Sequence, residues 1–195
     1  MGKTDIRIEP ARPCHAPCIA RAVMDAVGEE ICSEFAAPDH TPEDVERLFT
    51  HLASLEDSQY SYRNTIIALA PDGTRAGAVV CYDGARLYDL REAFVREANR
   101  LLGWGATQAD FADETSADEV YLDSLMVAPE YRRLGLGTRL IREAAGKAAE
   151  IGKPLGLLVD FDNPGARRVY VAAGFRKVGT RPFAGREMEH MQIPV

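Results

Sequence analysis

One short segment carries the residue types that a phosphate-binding loop needs. It combines two arginines with two glycines, directly before an apolar helical pattern: Arg132, Arg133, Leu134, Gly135, Leu136, Gly137 and Thr138. Glycine lets a backbone approach a ligand closely, and the free N–H groups of a helix's first turn bind anions with the help of the helix dipole. The segment is therefore a candidate phosphate or diphosphate site, although a plain helix start beside a solvated arginine pair has the same composition.

Other common binding motifs do not fit the chain. No Gly-Lys-Ser or Gly-Lys-Thr follows these glycines, as a P-loop requires, and their spacing differs from the dinucleotide fingerprint. Cys14 and Cys18 lack a second ligand pair at zinc spacing, so we expect no metal site and reduced thiols instead.

The first half of the chain predicts strands and helices in alternation. Residues 6–10 indicate a short strand, and an apolar stripe predicts a helix over 17–27. Thr41 is an N-cap residue that starts a second helix. Strands over 65–69 and 78–82 flank a Pro-Asp-Gly-Thr turn, which predicts a hairpin.

A long connection over about 83–118 follows this hairpin. Apolar residues at helical spacing predict an amphipathic helix in its first half: Leu87, Leu90, Phe94, Ala98 and Leu101. Its second half is an acidic loop: Asp110, Asp113, Glu114, Asp118 and Glu119. The helix would cover a ligand site or pack on a second subunit, and the acidic residues would line that site or form a solvated surface.

The second half of the chain alternates again, without repeats or linkers. The predicted order is a strand over 121–127, a helix over 136–151, a strand over 155–159, a helix from the N-cap Asn163 to Gly174, and strands over 175–178 and 188–193. We therefore expect one domain over 1–195 with an inserted helix and acidic loop at about 83–118.

These motifs resemble those of the GNAT superfamily of acetyl-CoA-dependent N-acetyltransferases. The family's Arg/Gln-x-x-Gly-x-Gly/Ala pattern is matched by Arg132, Gly135 and Gly137, behind a strand that ends in Val127 and Pro129. A second family segment is matched by residues 162–170 and by Gly174-Phe175. The resemblance implies an α/β (α+β) fold, with a mixed and mostly antiparallel sheet, a central splayed pair of parallel strands and flanking helices.

The resemblance also implies a cofactor site for acetyl-CoA. The pantetheine arm would lie between the two splayed strands, with Met126 and Val127 nearest the thioester. Backbone N–H groups of residues 133–138 would hold the diphosphate beside the Arg132 and Arg133 side chains. Asn163 would hydrogen-bond the cofactor arm, and it also suits a plain N-cap.

Two residues are the candidates for catalysis. In the family pattern Tyr170 faces the cofactor sulfur and would act as general acid toward the leaving thiolate, whereas its spacing alone is typical of a buried aromatic. Asp123 lies in an apolar strand, where burial would raise its pKa toward that of a general base. Asp123 could equally bind the amine or cap a loop, and the reserve carboxylates are Asp83, Glu29, Glu30 and Glu114.

Composition narrows the partners of the protein. The 195 residues carry a formal net charge of -7, which argues against nucleic acid and anionic membranes as partners. No apolar run could span a bilayer and no signal peptide is evident, so we expect a soluble cytoplasmic protein. It would act on an amine of a small molecule or peptide, which the acidic residues would favour as a cation, and a homodimer is one arrangement the inserted helix allows.

Two other functions fit the same sequence. A module that keeps the acyl-CoA cradle for sensing or assembly would bind the cofactor without turnover. A transferase with an alcohol acceptor or a longer acyl donor would differ in substrate alone.

Overall fold

The computed structural model describes residues 5–36, 39–183 and 185–195. Its helices are α1 (Ala16–Ala36), α2 (Pro42–Ser54), α3 (Leu87–Leu102), α4 (Leu136–Glu150) and α5 (Pro164–Ala173). Its strands are β1 (Arg7–Pro10), β2 (Thr65–Leu69), β3 (Arg75–Asp83), β4 (Val120–Val127), β5 (Leu155–Asp160), β6 (Arg176–Phe183) and β7 (Arg186–Ile193). Within these described ranges, no helix is long and apolar enough to cross a membrane.

The strands form one mixed sheet in the order β1-β2-β3-β4-β5-β7-β6. Every neighbouring pair in this sheet is antiparallel except β4 with β5. Those two strands pair in parallel at only two positions, Val120 with Leu155 and Tyr121 with Gly156. Beyond Tyr121 they separate, so the predicted splayed parallel pair at the centre of a mostly antiparallel sheet is confirmed.

Helices cover both faces of the sheet. One core lies under α4 and includes Leu140, Ile141 and Ala144, which are almost fully buried. The other lies under α1, α2 and α3. Phe94 and Ala98 of the inserted helix are buried there, so the apolar stripe of α3 finds its partner within the chain.

Capping residues in the sequence predicted most helix ends correctly. The Thr41 hydroxyl accepts a hydrogen bond from the Asp44 N–H, and the Asp44 carboxylate accepts one from the Thr41 N–H, a capping box that begins α2. Helix α5 ends at Gly174, which has φ 106°. The first segment of α1 agrees with the helix predicted over 17–27, because the backbone leaves helical geometry at Gly28 (φ 89°), and a second helical segment that was not predicted then continues to Ala36.

Three strands extend two residues or more beyond their predicted bounds, and one of them is β7, which begins at Arg186 rather than at residue 188. β3 begins at Arg75 rather than at residue 78, and β6 extends to Phe183 rather than to 178. β6 lies at the edge of the sheet and alternates between exposed and half-buried residues. Its backbone pairs with β7 without an apolar face, and apolar alternation is the signal that predicts strands.

Candidate active site

The glycine-rich segment forms an open cradle at the start of α4. Gly135 is the N-cap residue in a left-handed conformation (φ 74°), and Arg133 is also left-handed (φ 62°). The Arg139 N–H makes the first intrahelical bond, to the Gly135 carbonyl at 3.1 Å. The N–H groups of Leu136, Gly137 and Thr138 precede that bond, and a glycine N-cap offers them no side-chain acceptor.

The cradle's geometry fits an anionic ligand. A Cβ added at Gly137 would meet only Val127 Cγ2, at 3.7 Å, which is an ordinary contact. The fold alone therefore does not require glycine here, whereas a phosphate against the backbone would. Arg133 and Leu134 are exposed, and the Arg132 Nε donates to the Val127 carbonyl at 3.0 Å, which ties the loop to the end of β4.

The split between β4 and β5 runs along the strand that leads into this cradle. Among the described residues, β4 has no strand partner on its β5 side from Leu122 to Val127, so the backbone polar groups on that side face the gap. Met126 is buried and Val127 half-buried at the cradle end of the strand. An unpaired strand edge of this kind can hydrogen-bond an extended ligand that contains amides.

A bulge at Asp123 marks the strand below the cradle. Leu122 pairs with Cys81 and Ser124 pairs with Val80, which leaves Asp123 without a partner on β3. Its half-buried carboxylate accepts a hydrogen bond from the Ser124 hydroxyl at 2.7 Å. The pKa of Asp123 is raised to about 7, mainly by burial and in smaller part by the nearby Glu114 carboxylate, while the Ser124 hydrogen bond acts in the opposite direction. A carboxyl with this pKa can exchange a proton at neutral pH.

Tyr170 lies on α5, the helix that follows β5 and contacts it. Its half-buried ring packs edge-on against Phe175, with centroids 5.6 Å apart. Among the described residues its hydroxyl has no hydrogen-bond partner, and burial raises the pKa of Tyr170 above its usual value. The phenol is therefore protonated at neutral pH and available as a donor.

The remaining predicted residues have local roles. The Asn163 Oδ1 accepts the Ala166 N–H at 3.0 Å, so Asn163 is the N-cap of α5. The Asp83 carboxylate caps Ala85 and pairs with Lys153 where β4 and β5 are still joined, which places it away from the gap. Glu29 is exposed on α1 beyond the bend, and the Glu30 side chain lies outside what the structure describes.

Glu114, a reserve carboxylate in the sequence analysis, is the centre of a polar cluster beside Asp123 whose other members the sequence analysis did not predict. The Tyr82 hydroxyl and the Gln59 amide donate to Glu114 Oε1 at 2.8 Å and 2.6 Å. Arg91 of α3 forms an ion pair with the other oxygen of Glu114. Glu114 and Glu119 are buried, so the predicted acidic loop is only in part a solvated surface. The signal that could have predicted this cluster is a tyrosine within an apolar strand, as at Tyr82 and Tyr121.

The cysteines and acidic residues form no metal centre in the described ranges. All four cysteines are free thiols, two of them exposed or half-buried on α1 and its preceding turn. No group of three or more histidine, cysteine or acidic side chains within those ranges is arranged to hold a metal ion.

Comparison with known structures shows the same architecture elsewhere. A crystal structure of an acetyltransferase is 30% identical over 97% of this chain and 99% of its own, with a TM-score of 0.78. An N-acetyltransferase from Staphylococcus aureus Mu50 is 16% identical over 96% of this chain and 100% of its own, with a TM-score of 0.76. Mutant forms of the spermidine/spermine N-acetyltransferase SpeG from Vibrio cholerae are 14% identical over 97% and 94%, with a TM-score of 0.55.

The family model gives the same result from sequence. No curated protein matches the chain. The model described as the acetyltransferase (GNAT) family matches residues 29–175, which include the cradle, the split strands and α5. The chain therefore belongs to the GNAT acetyltransferase family.

Proposed function

We propose that this protein transfers the acetyl group of acetyl-CoA to a primary amine of a small molecule or peptide. The observation that carries the proposal is the gap between β4 and β5, which has the anion cradle at its head and Asp123 on its wall. One ligand with a diphosphate and an extended amide arm suits both features.

The cofactor would be held mainly by backbone groups. The N–H groups of residues 133–138 would hold the diphosphate, with the Arg132 and Arg133 side chains adding charge. The open edge of β4 at Met126 and Val127 would pair with the pantetheine amides. The Asn163 amide nitrogen, which its capping role leaves free among the described contacts, would donate to the same arm.

The reaction needs a proton acceptor and a proton donor. Acetyl-CoA supplies a thioester carbonyl that an uncharged amine attacks, forming the C–N bond while the C–S bond breaks. Asp123 takes the proton that the ammonium must lose, since its pKa of about 7 allows this at neutral pH. Tyr170 gives its proton to the departing sulfur and regains one from the attacking nitrogen, which loses its second proton as the amide forms. A backbone N–H near Met126 stabilises the negative charge on the carbonyl oxygen.

Thiol release from acetyl-CoA with a panel of primary amines tests this proposal. We expect release that depends on the amine, with kcat lowered about 100-fold in Tyr170→Phe and acetyl-CoA affinity unchanged. Tyr62→Phe is the control, because the Tyr62 hydroxyl contacts only surface groups, Glu56 and Arg63.

Two results would change the conclusion. Tight acetyl-CoA binding without release for any amine or alcohol would indicate a sensing or assembly module. Equal rates for Tyr170→Phe and the native protein would remove Tyr170 from the mechanism.

A further inference from the structure

Three tyrosine rings lie beside Asp123, on the face of the sheet that α1, α2 and α3 cover. Tyr82 and Tyr121 pack edge-on with centroids 5.8 Å apart, under the first turn of α3. Tyr60 packs edge-on against Phe94 of α3, at 5.8 Å. Burial raises the pKa of each tyrosine hydroxyl, and the nearby Asp123 carboxylate raises it further. We call Tyr60, Tyr82, Tyr121 and Asp123 the tyrosine cluster.

Two hydroxyls of the tyrosine cluster lack a protein partner. Tyr60 and Tyr121 are at least nine-tenths buried, with 9% and 5% of their surface exposed. Within the described residues neither hydroxyl makes a hydrogen bond, whereas the Tyr82 hydroxyl donates to Glu114. Gln108 Oε1 is the one completely sealed side-chain polar atom without a partner in the described ranges, so neither tyrosine hydroxyl is completely sealed from solvent. Buried polar groups left in this state are usually completed by a ligand or water.

Arg91, the basic side chain that acts on the tyrosine cluster, already forms ion pairs with other residues. Arg91, 2% exposed, pairs with Glu114 and with Asp113 and also donates to the Ala112 carbonyl at 3.1 Å. Its positive charge slightly offsets the rise in the pKa of Tyr60 that burial causes, but its N–H groups donate to Glu114, Asp113 and Ala112. Arg91 therefore already pairs with two carboxylates, Asp113 and Glu114, and it is the one described basic side chain that acts on the tyrosine cluster, so none remains to pair with an anion.

We propose that the acceptor is a primary ammonium group on an uncharged aliphatic or aromatic skeleton, without a carboxylate next to the nitrogen. This proposal rests on the proposed acetyl transfer. Asp123 and the tyrosine rings and hydroxyls bind the ammonium and its skeleton. Glu114 is a specificity-determining residue, because it forms an ion pair with Arg91, which would otherwise attract an acceptor carboxylate.

Matched pairs of compounds test this specificity. The pairs are tyramine with tyrosine and pentylamine with norleucine, which differ only in the carboxylate. We expect kcat/KM to be about 100-fold higher for the amine in each pair, since unfavourable placement of like charges costs several kcal/mol. Tyrosine methyl ester, which is larger than tyrosine but uncharged at that carbon, is expected to recover most of the loss.

Glu114→Gln tests the role given to Arg91. With Arg91 partly released, we expect the preference for amine over amino acid to fall about tenfold. Asp89→Asn is the matched control, because Asp89 is an exposed acidic residue on the same helix as Arg91, and it should leave the preference unchanged.

Calorimetric binding of the same compounds to the protein with CoA bound separates this proposal from the proposed function. If no compound is acetylated but the amines bind more tightly than the amino acids, the transfer reaction fails and the specificity stands. The specificity alone would be overturned if the amino acids were acetylated or bound to the same extent as their matched amines. It would also be overturned if neither compound of a pair bound.

Discussion

The carboxylate of Glu119 lies directly over Gly156, in the space that a side chain at that position would fill. Glu119 reaches across β5 to β7, where its Oε2 contacts Gln192 Nε2 at 2.7 Å and His190 Nε2 at 2.8 Å. Thr115 donates to its other oxygen at 2.8 Å. Glu119 is fully buried, and it joins three strands at the last point where β4 and β5 are paired. The contact thus fixes the point from which the gap opens.

Gly156→Ala is expected to destabilise the fold. The new methyl group would overlap the Glu119 carboxylate, and moving that group would break buried hydrogen bonds to a charge, at a cost of about 2 kcal/mol or more. Urea unfolding measures the difference. Gly146→Ala is the control: Gly146 is exposed within α4 with nothing near it, so alanine should add about 0.5–1 kcal/mol of stability. Equal stability of the Gly156→Ala and native proteins would contradict the crossing of Glu119 over Gly156.

Gly137→Ala is expected to weaken cofactor binding without harming the fold. An added Cβ meets only Val127 in the protein but would stand against a bound diphosphate. We expect CoA affinity in calorimetry to fall about tenfold or more, a difference of about 1.4 kcal/mol, with a melting temperature no lower than that of the native protein. Gly146→Ala, on the same helix, is the control: it should leave the CoA affinity unchanged and should not destabilise the fold. Native affinity in Gly137→Ala would refute the cradle assignment.

The rate should rise with pH through about 7. A base must be ionised to accept a proton, and the folded protein raises the pKa of Asp123 to about 7, so activity is lost as pH falls below that value. Asp123→Asn should be slow at every pH and lack this bend. Tyr170→Phe should be slower but keep this bend, because the phenol of native Tyr170 is protonated throughout the range and does not contribute to the bend. The same bend in Asp123→Asn would assign the base to another group.

Arg91→Met is expected to unfold more easily than the native protein. It leaves the buried Glu114 carboxylate without its cation, which costs about 3 to 5 kcal/mol in comparable sites. In Arg91→Met combined with Glu114→Gln the orphaned charge is gone, so the double variant should recover part of the loss. Chemical denaturation of both variants measures the recovery. A double variant no more stable than Arg91→Met would show that the pair is not coupled.

Much of the fold was predictable because its signals are local. The capping residue Thr41, the apolar periods of α3 and α4 and the left-handed Gly174 each depend on residues within a few positions along the chain. Strand ends were harder to predict, and β6 shows the reason. Its length depends on pairing with β7, which an exposed polar sequence does not reveal.

The candidate site divides in the same way. The sequence by itself determined the cradle of Gly135 and Gly137, since the N-cap and the first turn of a helix act through adjacent backbone groups. It did not determine which carboxylates are buried or which groups they meet. Gln59, Tyr82 and Glu114 come from separate segments, and only the packing of α3 on the sheet brings them beside Asp123. Contacts between distant segments depend on the whole chain's packing, so only the tertiary structure decided them.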